Sequence, residues 1–499
     1  MESSIVFGIH VGNSTASIAI SKEEGKVDVL ANEAGDRITP AVVSITDKET
    51  VVGNAAKTGF ISKQANTITF NNRLMNLAMD EDEKQSVIDN NKVKTVIEGG
   101  HLAYELPLET KKNVYSPQSI ESNIYKTLYG IAKRATHSDD NTKCCCVLTV
   151  PEFFDDPSRE SVRNAATQAG WNVLQVVNAP SVTPFTYGIN VSEPLNDTYV
   201  LVYRLGGISC DATILYVNSG LVSIKASEHT KSIGGYKLIE ILKSHLIDDV
   251  KRKHRSDPTE NARALAKLQR ATEDAVHLLS TLKTANIFIE SLTDGVDFAA
   301  SVSQARFESL IAHLLPSFAL PIETVLKKAK LKSASIGKVI LCGGPLKIPK
   351  LKSYIGSLFP NADIPNGISP DEVLAYGAAV QAGFLAKYWN FRDDLPEPVT
   401  EVSTLNEPIE INCCGEVLSL DQNEVLPSTK TIKAKHNSEI VTLLAKIGKD
   451  QQKNCEANIN IELDEEIEFS FTANTDQTLE VKVQNPNTQH KASALFMTV

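Results

Sequence analysis

The chain has 499 residues, 42% of them apolar and 22% charged, with a formal net charge of −11. That length excludes a single hydrophobic core, and the ordinary composition excludes a disordered or fibrous chain. The acidic balance excludes nonspecific nucleic-acid binding by the surface as a whole, which needs clustered cations.

The N-terminal Met1-Glu-Ser-Ser leads directly into a strand-like run, so no secretory signal is expected. No run of about 18 apolar residues promises a membrane span. Ile5–His10 and Ala16–Ile20 flank the turn Gly12-Asn-Ser-Thr15, which predicts a hairpin. Cys144–Val150 is a β-rich run ended by Pro151, and Ser158–Gly170 reads as a helix stopped by glycine. Eight cysteines stand at 144, 145, 146, 210, 342, 413, 414 and 455. Their spacing fits neither a zinc site nor a disulfide framework, so buried thiols are expected.

The second part repeats this logic. Val200–Leu205 and Ala212–Val217 predict a hairpin around Gly206-Gly207. Such a turn brings backbone N–H groups close to a phosphate with no Cβ in the way. Leu265, Leu268, Leu279 and Leu282 predict helix over Thr259–Ile289. Val339–Leu341 reads as a buried strand before Gly343-Gly344, and Asp371–Leu385 as an Ala-rich helix capped by Ser369 or Asp371. The run Lys251-Arg-Lys-His-Arg255 reads as a solvated helix end. Two phosphate-type hairpins in one chain predict a duplicated α/β domain with a nucleotide cleft between its halves. Asp393-Asp-Leu-Pro-Glu-Pro is acidic and proline-bearing, and reads as a linker. Beyond it, Ile459–Leu463, Ile467–Phe471 and Leu479–Val483 alternate with period two, as half-buried antiparallel strands do.

Ordered motifs across about 380 residues resemble the 70-kDa heat-shock chaperones. They include Gly8-Ile-His-Val-Gly12, Asn32-Glu-Ala-Gly-Asp-Arg-Ile-Thr-Pro40, Val52-Gly-Asn-Ala-Ala-Lys57 and Val150-Pro-Glu-Phe-Phe-Asp-Asp156. Gly234-Gly235, Ala305-Arg-Phe-Glu308, Gly343-Gly344 and Asp371-Glu-Val-Leu-Ala-Tyr-Gly-Ala-Ala-Val-Gln381 continue the match. The resemblance implies an actin-like duplicated nucleotide-binding domain over 1–388, a linker over 389–407 and a β-sandwich domain over 408–499. Because the chain ends at Val499, soon after the last β run, the family's helical lid is not expected.

By the resemblance, ATP would be held by Gly12, Asn13, Ser14, Gly206, Gly207, Ile208, Gly234, Gly235, Glu273, Ser280, Gly343, Gly344, Lys347 and Asp371. The departures fall where the chemistry would occur. The family's acids become His10, Ala179 and Arg204, and its water-positioning lysine becomes Asn72. Its paired threonines become Asn13 and Ser14, and Val276, His277 and Lys347 replace its adenosine-pocket cations. Carboxylates hold the waters around Mg²⁺, so losing them leaves Mg²⁺ in doubt and removes the expectation of any catalytic or metal-ligating residue. Losing one preorganised group costs ~10²–10³ in rate, so weak or no hydrolysis is expected.

The short chain, altered loops and missing lid resemble the heat-shock-like subunit of the eukaryotic ribosome-associated complex. That implies a cytosolic chaperone subunit paired with a J-domain partner of the zuotin type. Through the complex it would meet ribosomes, nascent chains and a conventional 70-kDa chaperone, without a membrane or sequence-specific nucleic acid. The alternative, favoured by the retained Gly206-Gly207, Glu273 and Asp371, is an active ATP-dependent chaperone with a divergent site.

Overall fold

A computed structural model describes residues 5–22, 25–109, 113–137, 143–188, 198–218, 221–231, 233–293, 295–389, 401–405, 408–413, 416–436, 440–447, 453–460, 464–476, 478–484 and 491–496. The protein is mixed α/β and divides into two compact units. The first is Met1–Leu215 with Ala226–Pro398, and the second is Tyr216–Lys225 with Val399–Val499. Most of the sequence read as linker lies outside the described residues.

The duplication is visible in the strand order. Ile5–Val11 and Thr15–Ser21 form an antiparallel hairpin, and Cys144–Val150 joins the first of them in parallel. Asn172–Asn178 extends this sheet on one side and Val27–Val29 on the other. In the second half, Thr198–Leu205 neighbours Cys210–Asn218, and Ile336–Cys342 joins the first of them in parallel. Both predicted hairpins and the Ile336–Cys342 strand therefore form where the glycine turns and apolar runs placed them.

Each half has its own core, with Phe7, Ile9, Leu148 and Trp171 in the first and Leu201, Tyr203, Phe298 and Phe318 in the second. Trp171 meets Phe7 edge-on at 5.4 Å, and its ring N–H donates to the Tyr125 carbonyl at 3.0 Å. Its polar atom is thereby satisfied inside an apolar cluster. Cys144–Val150 is buried at all seven positions because it is an inner strand, paired in parallel on both sides, in a sheet covered on both faces. Cys144, Cys145, Cys146, Cys210 and Cys342 are free buried thiols, and burial pushes Cys210 and Cys342 up to about 12.

One helix, Val373–Trp389, lies on the first-half sheet with almost no side chain between the two backbones. A Cβ on Gly8 would stand 2.0 Å from the Ala379 nitrogen and 2.3 Å from the Ala375 carbonyl oxygen. Ala375, Ala378, Ala379 and Ala382 are fully buried in this contact. The helix starts at Val373, so Asp371 precedes it instead of lying within it.

The long helix expected over Thr259–Ile289 is shorter. Helix spans Ala262–Leu279, and Thr284–Thr293 is a strand paired with Val296–Ser303. Ala285, Ile287 and Ile289 are buried while Thr284, Asn286 and Phe288 face out, a period-two pattern that overrides the helical reading. The basic run ends the helix Gly235–His254, where Lys251 pairs with Asp257 and Arg252 with Asp249.

The helical stretch Gln304–Lys328 reaches the length and mean hydropathy of a membrane span. Phe307, Ile311, Phe318, Ile322 and Val325 are core residues, however, so the stretch packs the second half.

The second unit carries two four-stranded antiparallel sheets. One orders Glu416–Leu420, Ile409–Cys413, Ile440–Ile447 and Lys453–Asn460; the other orders Ser428–His436, Asp464–Ala473, Leu479–Gln484 and Lys491–Phe496. Phe469, Phe471, Leu479 and Val481 are buried, as the alternation requires. Of the strand expected at Ile459–Leu463, Ile459 and Asn460 lie in the strand Lys453–Asn460, and 461–463 lie outside the described residues.

Candidate functional site

The two glycine turns meet. Gly12 donates to the Thr15 carbonyl at 2.9 Å, and Gly206 to the Ser209 carbonyl at 2.8 Å, closing each turn between its strands. A Cβ on Gly207 would stand 1.9 Å from Ser14 Oγ, so the first turn's hydroxyl rests on the second turn's backbone. Asn13 is committed elsewhere: its Oδ1 accepts from the Arg73 backbone at 2.8 Å.

The second turn is seated on two further glycine pairs. The Gly206 and Gly207 carbonyls accept from Gly235 at 2.9 Å and Tyr236 at 2.7 Å, anchoring the turn to the start of the helix Gly235–His254. A Cβ on Gly234 would lie 2.7 Å from Ile208, and one on Gly235 would lie 2.6 Å from Pro345. Gly343 has φ +102° and would carry a Cβ 2.1 Å from the Leu205 carbonyl, so only glycine fits there. Gly344 faces open space.

The remaining candidate residues are ion-paired or cap a helix. Glu273 accepts from Lys57 at 2.9 Å, joining Ala262–Leu279 to the short helix Asn54–Gly59. Lys347 pairs with Asp371 at 2.6 Å, and Ser369 donates to the same carboxylate at 2.6 Å. Ser280 Oγ donates to the His277 carbonyl at 2.6 Å, closing the end of its helix. His277 lies within electrostatic reach of both Lys57 and Lys347, so these groups share one wall. The Lys57–Glu273 pair is partly solvated; Lys57→Ala is expected to cost only about 0.2–1 kcal/mol in chemical denaturation. A larger loss would mean that the pair holds the two halves together.

Of the departures at the centre, His10, Arg204 and Asn72 each have a side-chain partner. His10 Nδ1 lies 2.9 Å from Thr149 Oγ1. Burial first, then the Arg204 charge, lowers His10 to about 3, so it is neutral at physiological pH. Arg204 is 14% exposed at its side chain and pairs with Asp211, which also accepts from His229. Burial opposes ionisation of Asp211, but Arg204 and His229 together hold its carboxyl below the usual carboxylate range. The His229 ring lies 4.2 Å from the Phe153 ring, bringing a residue of the first half against the second. Ala179 is buried and brings no charge.

Asn72 donates at 3.2 Å to Glu121, which also accepts from Asn71 at 2.6 Å. Glu121 is fully buried on the helix Pro117–Thr136, and burial raises its pKa to about 7 against the two amide bonds. The sequence reading did not single out Thr149, His229, Phe153 or Glu121. Only Glu121 left a signal, as the one carboxylate on the apolar stripe Ile120, Ile124, Tyr125 and Leu128.

The model for the family described as Hsp70 protein matches residues 6–461. The chain belongs to the Hsp70 family. Heat shock 70 kDa protein 14 of Danio rerio is 37% identical over 415 residues, covering 83% of this chain and 79% of that protein. Heat shock 70 kDa protein 14-A of Xenopus laevis is 38% identical over 388 residues, 78% of this chain and 75% of that one. The Bos taurus heat shock 70 kDa protein 14 is 36% identical over 378 residues, 76% and 74% respectively. This Hsp70-family chain is thus similar over about three quarters of its length to the heat shock 70 kDa protein 14 of three vertebrates.

Hsp70 proteins form an ATP-binding family, so the cleft can be tested for fit. The close-packed glycine turns, which exclude a Cβ at 207, 234, 235 and 343, suit a phosphate chain. A Mg²⁺ ion does not fit in the same way. It demands oxygen ligands in near-octahedral order. Among the described residues no three His, Cys, Asp or Glu side chains converge, and Asp211 is already held by Arg204 and His229.

Proposed function

We propose that this Hsp70-family chaperone works as a non-hydrolysing subunit whose nucleotide domain is a bound scaffold. One observation carries the reading: the Arg204–Asp211–His229 group beside the glycine turns. It neutralises internally the acid that metal-assisted hydrolysis would use. His10 is neutral beside Thr149, and Asn72 is turned onto Glu121, so neither replaces a general base or a water-positioning cation. ATP would be held by the backbone of Gly12, Gly206, Gly207, Ile208, Gly234 and Gly235, with Asn13 and Ser14 at the first turn. Glu273, Ser280, Gly343, Gly344, Lys347 and Asp371 would line the nucleoside side.

The partner part of the reading rests on the resemblance to the ribosome-associated subunit. In it the chain pairs in the cytosol with a zuotin-type J-domain protein. The pair meets nascent chains on ribosomes and supports a conventional 70-kDa chaperone. A tagged chain is expected to bring down a J-domain protein in equal amount, together with ribosomes; a lone monomer overturns this part.

Turnover is tested with the protein in excess over labelled ATP, the bound label being kept on a filter. Label retained as ATP for hours is the expected result. Conversion to ADP within minutes overturns the scaffold reading and restores an active chaperone.

A further inference from the structure

Resting on the nucleotide-scaffold reading, we infer that the cleft takes a nucleoside polyphosphate without a divalent cation, with Arg204 supplying the positive charge. Arg204 stands at the end of the strand Thr198–Leu205, directly before the glycine turn. Its Nη2 is on Asp211, while its Nη1 lies 3.6 Å from the place of a Cβ on Gly206. One arm of the fork is therefore anchored and the other is directed at the turn. A guanidinium has five N–H donors, so one carboxylate does not exhaust it. It matches phosphate oxygens as well as carboxylate oxygens.

The surroundings favour this arrangement over a metal. Arg204 and Asp211 cancel, His10 is hydrogen-bonded to Thr149, and Ala179 brings no charge. A phosphate chain approaching the turns thus meets no uncompensated carboxylate there that would need a cation as a bridge. A divalent ion, in contrast, would be placed beside a guanidinium, and like charges in a half-buried site repel strongly. His229 adds rigidity: tilted against Phe153 and bonded to Asp211, it fixes the carboxylate that orients Arg204.

The test is calorimetric titration of ATP into the full chain, once with EDTA and once with excess Mg²⁺. The expected affinity in EDTA equals or exceeds that in Mg²⁺. Arg204→Gln is expected to weaken metal-free binding by about tenfold or more, the worth of one hydrogen bond to a charged group. Arg204→Lys, which keeps the charge and loses the fork, is expected to fall between. Binding that disappears in EDTA and returns with Mg²⁺ overturns the inference and leaves the nucleotide scaffold standing. No binding under either condition overturns both. Metal-free binding that Arg204→Gln leaves unchanged overturns the assignment to Arg204. The comparison of EDTA with Mg²⁺ uses the unmodified chain, so it does not depend on any variant folding.

Discussion

Gly8→Ala is expected to destabilise the first unit by at least ~3 kcal/mol, the top of the range for an overpacked core. The added methyl would lie 2.0 Å from the Ala379 nitrogen, 2.3 Å from the Ala375 oxygen and 2.5 Å from the Ala378 carbonyl carbon. All three obstacles are backbone, held in the helix Val373–Trp389. No rotamer change relieves them; the helix must lift off the sheet or the central strand must bend. Gly344→Ala is the control. Its methyl would meet nothing within 4 Å, so its cost is expected to stay below about 1 kcal/mol. Thermal unfolding of the two variants beside the parent decides. A parental midpoint for Gly8→Ala would refute backbone-on-backbone packing at this point.

The second large effect concerns Glu121 and pH. Its folded-state pKa is raised from 4.5 to about 7, chiefly by burial, which favours the neutral carboxylic acid. The folded chain therefore binds this proton more tightly than the unfolded chain. Stability from this group is fully present below about pH 4.5, is lost as the pH rises towards 7, and changes no further above it. The groups that face it are Tyr104, whose hydroxyl is buried, and Tyr125 on its own helix. Arg73 lies beyond Tyr104. Between pH 5 and pH 8 the parent is expected to lose about 2–3 kcal/mol that Glu121→Gln does not lose. Denaturant midpoints of both chains across that range measure it. Parallel profiles would mean that Glu121 is ionised throughout, with its charge carried by Asn71 and Asn72.

Much of this was legible from residues alone, for a local reason. A tight turn between two strands needs glycine at fixed places, so Gly12 and Gly206-Gly207 announced both hairpins and the duplication. The alternation at Phe469, Phe471, Leu479 and Val481 announced antiparallel strands, since a half-buried strand leaves a period of two. What stayed hidden was produced by distant pairing. From residues alone, an arginine at 204 fits an outward salt bridge as well as a phosphate contact. Only the fold, by placing Asp211 and His229 beside it, turns it inward. The strand Thr284–Thr293 was read as helix because Leu279 and Leu282 extend the helical period across the turn that ends the helix. Glu121 could be seen as an oddity on an apolar stripe, yet its partners come from a turn some 50 residues away.

The seat of Val373–Trp389 on Gly8 also has a consequence for synthesis. The strand Ile5–Val11 is made about 370 residues before the helix that covers it. At roughly 5–20 residues per second, that face of the sheet waits on the order of 20–70 s for its helix. Contacts of such long sequence separation form late, because the loop they close is long. Val6, Ala19, Cys145 and Val147, which end buried beneath or beside that helix, remain uncovered on the nascent chain meanwhile. Until Val373–Trp389 is made, the chain has no helix of its own to cover that apolar β-surface.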